Sequence, residues 1–322
     1  MKMRANVIVG PRKSEIREVD ILDPKPGQVQ IKIKACGVCA SDFEPWLNPQ
    51  ANEDGAAVAM GHEPAGIVTA VGEDVTKFKE GDRVASMSGP SYAEYCTVDA
   101  NTVVHLPDEV PFEVGIVEPP GCIVAELTRV PLALGEPVAV IGSGFMGLLL
   151  LQLIRASGVG KVVCIDVSEE ALANAKRFGA DEVYFPGDLP KEYLCTEWDL
   201  MWETGFHKVL EVTGKQQGID LAIKMTRAHG FLAAFGYHQD KLRTIDMKMT
   251  GWKAMTLHNA HERRLSAMNN GMAVSADMIR RGTLDMKSMV THKFALDQLD
   301  EAFTMMIEKP KGYIKSIIVP EM

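Results

Sequence analysis

The sequence predicts an α/β protein with a β-rich part and a part built on a doubly wound parallel sheet. Up to about residue 123 the chain runs in short alternating or apolar stretches broken by Gly and Pro, as at 28–33, 66–71 and 82–85. Such stretches suit strands with one face packed on a core. From about residue 131 the pattern changes to strand, glycine turn and helix: an apolar run at 137–141, Gly-Ser-Gly-Phe-Met-Gly at 142–147, then an apolar helix at 148–156. That is the opening of a βαβ unit. Apolar runs at 161–165, 182–184, 208–211, 231–235 and 254–257 complete a set of six strands. Beyond about residue 262 come a helical stretch, a short apolar segment around Met289-Val290, a helix near 296–307 and a final strand at 314–319.

Bulk properties narrow the function. At 322 residues, with 46% hydrophobic and 24% charged residues, the chain can bury a full core and is long enough for two domains. A formal charge of −9 argues against nucleic acid or an anionic membrane surface as partner, because phosphate binding needs a basic field. No run of about 18 apolar residues is present, and the first ten residues lack the apolar centre of a signal peptide, so a cytoplasmic location is expected. The six cysteines are scattered and fit a reducing compartment, where they act as thiols, thiolates or metal ligands.

Gly142-x-Gly144-x-x-Gly147 has a physical reading. The first glycine permits the tight turn, the second lets backbone approach a pyrophosphate, and the third allows close packing of helix on strand. Phe145 and Met146, between them, open the helix whose amides and dipole face the phosphates. A glycine triplet alone could be a tight turn and nothing more. Here it follows an apolar strand, and the next strand ends at Asp166, about 20 residues beyond the third glycine as a dinucleotide fold requires. An acid at that offset accepts hydrogen bonds from ribose hydroxyls and repels a 2′-phosphate, so NAD is expected over NADP. Its alternative role is to cap a strand end.

The β-rich part contains Cys36-Gly37-Val38-Cys39-Ala40-Ser41-Asp42 and, later, Gly61-His62-Glu63-Pro64-Ala65-Gly66. Thiolate, imidazole and carboxylate are the ligands of a catalytic zinc that keeps one position open. By spacing alone, Cys36 and Cys39 could equally be a redox pair and His62 a structural histidine.

In order and spacing, these two motifs, Glu118-Pro119 and the glycine fingerprint resemble the zinc-dependent medium-chain dehydrogenase/reductase family of alcohol and polyol dehydrogenases. The resemblance covers nearly the whole chain. It implies a GroES-like catalytic domain at 1–123 and 263–322, with 290–303 as the return segment, around a Rossmann NAD-binding domain at 124–262. It further implies Cys39 and His62 as zinc ligands, Glu63 as a carboxylate that binds or swaps onto the metal, and Glu118 at the third ligand position, bound directly or through water. Ser41 matches the hydroxyl that passes the alcohol proton outward, and Asp42 the acid that orients the ligand imidazole. Cys36 is expected to be structural.

Three departures from the family pattern stand out. Only residues 85–91 lie where many relatives insert a four-cysteine lobe for a structural zinc, so one zinc per chain is expected. Glu44 stands where relatives often carry a histidine of the proton relay. The run after Glu118-Pro119 is also unusual, with Cys122 expected to have no catalytic role. Gly236-Tyr237-His238-Gln239 and the stretch Trp252 to Arg264, with His258, His261, Arg263 and Arg264, could mark substrate or subunit contacts, but read most simply as solvated helix charge.

The implied reaction is hydride transfer between a hydroxyl-bearing carbon and NAD, with zinc holding the substrate oxygen. The acidic third ligand and the short metal domain tilt the substrate towards a polyol, cyclitol or sugar alcohol, acted on by a homodimer or homotetramer as in relatives. The rival readings are a zinc-free enone or quinone reductase of the same fold and a non-catalytic NAD-binding protein. The intact ligand residues argue against both.

Overall fold

The structure is a computed structural model and describes residues 1–49, 58–238 and 241–322. The chain divides into two compact units, Met1–Cys122 with Arg263–Met322, and Ile123–Glu262.

The first unit is organised by the strand Gln28–Gly37, whose alternating sequence buries Val29, Ile31 and Ile33 completely. Each such side chain contributes about 1.5–3 kcal/mol on burial. On the other face, Lys32 and Lys34 reach out to Glu321. This strand pairs antiparallel with Pro64–Val71 along its length and with Tyr95–Asp99 over its first half. At its end the C-terminal strand Lys315–Ile318 joins, with Ile317 opposite Gly37 and Ile318 opposite Cys36. Lys315–Ile318 also pairs in parallel with Val290–Phe294, so the chain's last segment is built into the sheet of its first. A separate sheet of three strands carries Lys2–Gly10 at its centre.

The second unit holds a six-stranded sheet, all parallel, in the order Glu182–Tyr184, Val162–Ile165, Val138–Ile141, Phe206–Glu211, Thr226–Ala234, Thr256–Asn259. Sequence order runs outward from the third position in both directions, which places a reversal of winding beside Val138–Ile141, where doubly wound sheets bind ligands. The helix Phe145–Ala156 buries Leu148 to Leu151, Leu153 and Ile154.

Some expected boundaries move. Apolar residues begin at 254, but Ala254 takes a left-handed φ of 47° in the turn after the helix Met247–Trp252, so the last strand starts only at Thr256. Thr226–Ala234 begins five residues before the expected 231, because pairing with Phe206–Glu211 continues across a register shift between Phe206 and Lys208.

The expectation of solvated helix charge over Trp252 to Arg264 is corrected. His258 lies in a strand and bonds through Nε2 to the buried carboxylate of Glu126, and His261 Nε2 sits 3.2 Å from the Gly236 carbonyl. Arg264 is the N-cap of the helix Leu265–Arg280. Glu126 is 132 positions from His258, too far for a local charge pattern to reveal. Gln239, in the other distinctive run, lies outside the described residues. Among the described residues, no helix is long and apolar enough to cross a membrane.

Candidate metal and dinucleotide sites

Register in the first unit explains how residues distant in sequence meet. Cys36 pairs with Pro64 across antiparallel strands, so the chain leaving Gln28–Gly37 and the chain entering Pro64–Val71 share one end of the sheet. Cys39 follows the first strand, and His62 and Glu63 precede the second. Gly61 turns the approach to His62 with a φ of +94°, a conformation that favours glycine. One ligand atom from each of Cys39, His62 and Glu63 lies within 4.8 Å of the other two.

The electrostatics of the group favour a cation. Burial alone would pull the His62 pKa down, but hydrogen bonds to Asp42 and Cys39, together with the negative charge of both, outweigh it and push it up to about 12. His62 Nδ1 faces Asp42 Oδ1 at 3.4 Å, which leaves Nε2 as the nitrogen that could meet a metal. A field that holds positive charge on an imidazole so strongly also suits a divalent ion. Thiolate, imidazole and carboxylate are a zinc donor set, so these residues fit the metal.

Glu63 is 1% exposed and paired with Lys315, itself 4% exposed, with Nζ 2.7 Å from Oε2. Burial works against the Lys315 charge, yet Glu63 opposite it raises the ammonium pKa above its ordinary value. Nζ also donates to the Val38 carbonyl at 2.9 Å. Gly37 makes room for the carboxylate, because a Cβ there would lie 1.8 Å from Glu63 Oε2. Lys315 did not emerge from the motifs. Its one sequence signal is a cation between Ile314 and Ile317-Ile318, in a strand whose four residues are all buried.

Glu118, expected at the third ligand position, does not join the 4.8 Å group. Its Oε1 accepts from Cys122 Sγ at 3.1 Å, one turn along the helix Glu118–Leu127. Burial and then the charge of Glu63 raise its carboxyl pKa, and burial raises that of the Cys122 thiol. Ser41 is exposed and donates to Cys39 Sγ at 3.3 Å. Glu44 accepts from Asn48 at 2.8 Å on the short helix Phe43–Leu47. Cys36 is fully buried in the apolar core.

In the second unit the three glycines of the fingerprint meet three different surroundings. Gly142 has φ +102° and packs on Thr213, 3.0 Å from where a Cβ would be. A Cβ on Gly147 would sit 2.0 Å from the Gly142 carbonyl oxygen, whereas one on Gly144 would meet nothing within 4 Å. Gly144, the N-cap of Phe145–Ala156, therefore leaves open the space into which a pyrophosphate would come. Phe145 and Met146 form the helix's first turn and are partly exposed. Asp166 stands at the end of Val162–Ile165, where Oδ2 accepts from Ser143 N at 2.7 Å and Oδ1 from Ser168 N at 2.9 Å. Two fixed amides aim the carboxylate, and each oxygen keeps a lone pair for a further donor. The motifs also missed Glu211. It is fully buried, accepts from Thr213 N and Gly214 N at 2.7 and 3.1 Å, and holds His238 Nε2 at 2.7 Å, fixing the turn on which Gly142 packs.

The profile of the alcohol dehydrogenase GroES-like domain matches residues 25–108, and that of the zinc-binding dehydrogenase matches 146–279, together more than half of the chain. The chain belongs to the zinc-dependent medium-chain dehydrogenase/reductase family. This dehydrogenase is 27% identical to sorbitol dehydrogenase of Mus musculus, over 92% of this chain and 90% of the relative. It is 28% identical to (R,R)-butanediol dehydrogenase of Bacillus subtilis, over 96% and 97%. The crystal structure of 2R,3R-butanediol dehydrogenase from Bacillus subtilis superposes with a TM-score of 0.82 at 25% identity, covering 99% of both chains. The protein is accordingly a zinc-dependent alcohol dehydrogenase, with a GroES-like domain and a Rossmann-type sheet.

Proposed function

We propose that this dehydrogenase oxidises a secondary alcohol of the polyol type, or reduces the matching ketone, with NAD as its hydride carrier and one zinc per chain. The observation that carries the reading is the convergence of Cys39, His62 and Glu63 within 4.8 Å in a chain that also has the Gly142, Gly144 and Gly147 fingerprint. Relatives that act on sorbitol and on butanediol support a substrate with vicinal hydroxyls.

Cys39, His62 and Glu63 are the proposed ligands, with Glu118 a second carboxylate, at the family's third ligand position, that binds directly or through water. Zinc, when bound, would supply Lewis-acid polarisation of the substrate oxygen, and NAD would be the hydride acceptor. Asp42 keeps the imidazole of His62 in one orientation. Ser41 carries the hydroxyl proposed to take the substrate proton outward, and Glu44 stands where relatives often carry the next histidine of the relay. Gly142, Gly144, Phe145, Met146 and Gly147 would hold the pyrophosphate, and Asp166 the adenosine ribose.

The domain limits proposed from the sequence, 1–123 with 263–322 and 124–262, are retained. A homo-oligomer in the cytoplasm is the proposed working form.

The test is elemental analysis of the purified protein together with NAD reduction on a panel of polyols, inositols, hydroxy acids and simple alcohols. About one zinc per chain and chelator-sensitive NADH production are expected. Cys39→Ala and His62→Ala should each abolish zinc retention and turnover while NAD affinity stays within about twofold. Turnover surviving in both variants, or NADPH-driven enone reduction by a zinc-free protein, would hand the case to the zinc-free reductase reading.

A further inference from the structure

Tyr92 lies outside every motif, yet it bears on His62 at two points, through Asp42 and through the backbone of Met60. Its side chain is buried, with 1% of the residue exposed, and its ring packs edge-on against Phe303 at 6.0 Å. The phenolic oxygen is 2.6 Å from Asp42 Oδ2 and 3.4 Å from the Gly37 carbonyl. A phenol has one proton to give, and the shorter contact to the charged acceptor takes it. Asp42 Oδ1 is the oxygen that faces His62 Nδ1. The two oxygens of Asp42 are thus divided, one held by Tyr92 and one turned to the ring of His62.

The second point is backbone. Tyr92 N and Ser91 N both donate to the Met60 carbonyl at 2.9 Å, two residues before His62. Tyr92's own carbonyl accepts from Asn6 N at 2.8 Å, which ties the clamp to the strand Lys2–Gly10. Gly61 has no room for a side chain, since a Cβ there would stand 2.9 Å from Tyr92 N and 3.0 Å from the ring. Burial, and next the Asp42 charge, raise the phenol pKa well above its ordinary value, so it remains a donor.

We infer that Tyr92 is a positioning residue of the metal site. It locks the Asp42 carboxylate by a hydrogen bond so that Asp42 presents His62 to the ion in one orientation. The inference rests on the zinc reading of Cys39, His62 and Glu63. Without the phenol, Asp42 can turn about its terminal torsion, and the imidazole loses a fixed partner. Groups of this outer kind typically alter metal affinity by about 10–100-fold.

The experiment measures zinc affinity of metal-free protein by competition with a chromogenic chelator for wild type, Tyr92→Phe, Asp42→Asn and the double variant. The visible spectrum of the cobalt(II)-loaded protein is recorded as a second readout. Phe keeps the ring in the Phe303 contact, and the backbone clamp on Met60 is unaffected. Tyr92→Phe should weaken zinc by about tenfold or more and shift the cobalt bands, with NAD affinity unchanged. In the Asp42→Asn background the same change should cost less than about twofold, because two residues acting through one contact are not additive. Zinc affinity and cobalt bands unchanged in Tyr92→Phe would overturn the inference, as would losses that multiply in the double variant. If wild-type protein binds no zinc, or Cys39→Ala binds it as tightly, the zinc reading fails instead and takes this inference with it.

Discussion

Glu63 and Lys315, 252 positions apart, form a buried ion pair with Nζ 2.7 Å from Oε2 and 3.1 Å from Oε1. Removing one partner of such a pair strands the other charge in a poorly solvated place. Lys315→Met should therefore destabilise the metal-free protein by about 3–5 kcal/mol, and Lys315→Arg by clearly less. Urea denaturation monitored by tryptophan fluorescence measures this, and a loss below about 1 kcal/mol for Lys315→Met would mean that the pair contributes no net stability.

The glycine fingerprint offers a contrast between two neighbouring positions. Gly147→Ala places a methyl 2.0 Å from the Gly142 carbonyl and should cost about 1–3 kcal/mol of stability as well as weaken NAD binding. Gly144→Ala meets nothing within 4 Å and should leave stability within about 0.5 kcal/mol while still weakening NAD, since the methyl enters the space a pyrophosphate needs. Thermal melts and NAD titrations on both variants decide it. Equal loss of stability in the two would contradict the packing difference.

Asp166→Ala removes the charge that a 2′-phosphate would meet. The ratio of kcat/KM for NADP to that for NAD should rise by at least about tenfold, because like charges brought together cost several kcal/mol. The variant also frees Ser143 N, which Asp166 now satisfies at 2.7 Å, so NAD binding should weaken in the same protein. An unchanged ratio from steady-state kinetics would move cofactor selection to another residue.

Glu321 ties the C-terminal end to the central strand through Lys32 and Lys34, and hydrogen bonds from these lysines lower its carboxyl pKa to about 2. The folded value lies below that of the free group, 4.5, so its stabilisation is present above that pH and is lost as pH falls towards about 2. With the side chain 49% exposed, solvent screening keeps the effect under about 1 kcal/mol. Wild type should exceed Glu321→Gln in stability at pH 7 and match it near pH 2. Denaturation curves at both values test the sign, and a difference that grew on acidification would reverse it.

The parallel sheet was legible because its strands are short apolar runs separated by helices, and a run buried on both faces leaves a strong local mark. Edges were less legible. Apolar content at 254–257 could not reveal that Ala254 sits in a left-handed turn, and the extent of Thr226–Ala234 is set by its neighbour in the sheet. His258 read as surface charge because its partner Glu126 belongs to a distant helix. The candidate metal residues were legible as types and spacing, but Glu118 did not enter the 4.8 Å group formed by the other three.

The sequence by itself determined the two kinds of sheet, the glycine turn with its acid at Asp166, and the identity of a thiol, an imidazole and a carboxylate suited to zinc. These are local properties, carried by periodicity, by the conformational freedom of glycine and by ligand chemistry. Tertiary structure alone decided which groups surround them. The register of Cys36 opposite Pro64 brings Cys39 to His62, the return of Lys315–Ile318 beside Gly37 delivers a cation to Glu63, and Tyr92 reaches Asp42 from 50 positions away in sequence. The physical reason is that a buried charge must find a partner, and the chain can supply one from any distance once folding has made the encounter local.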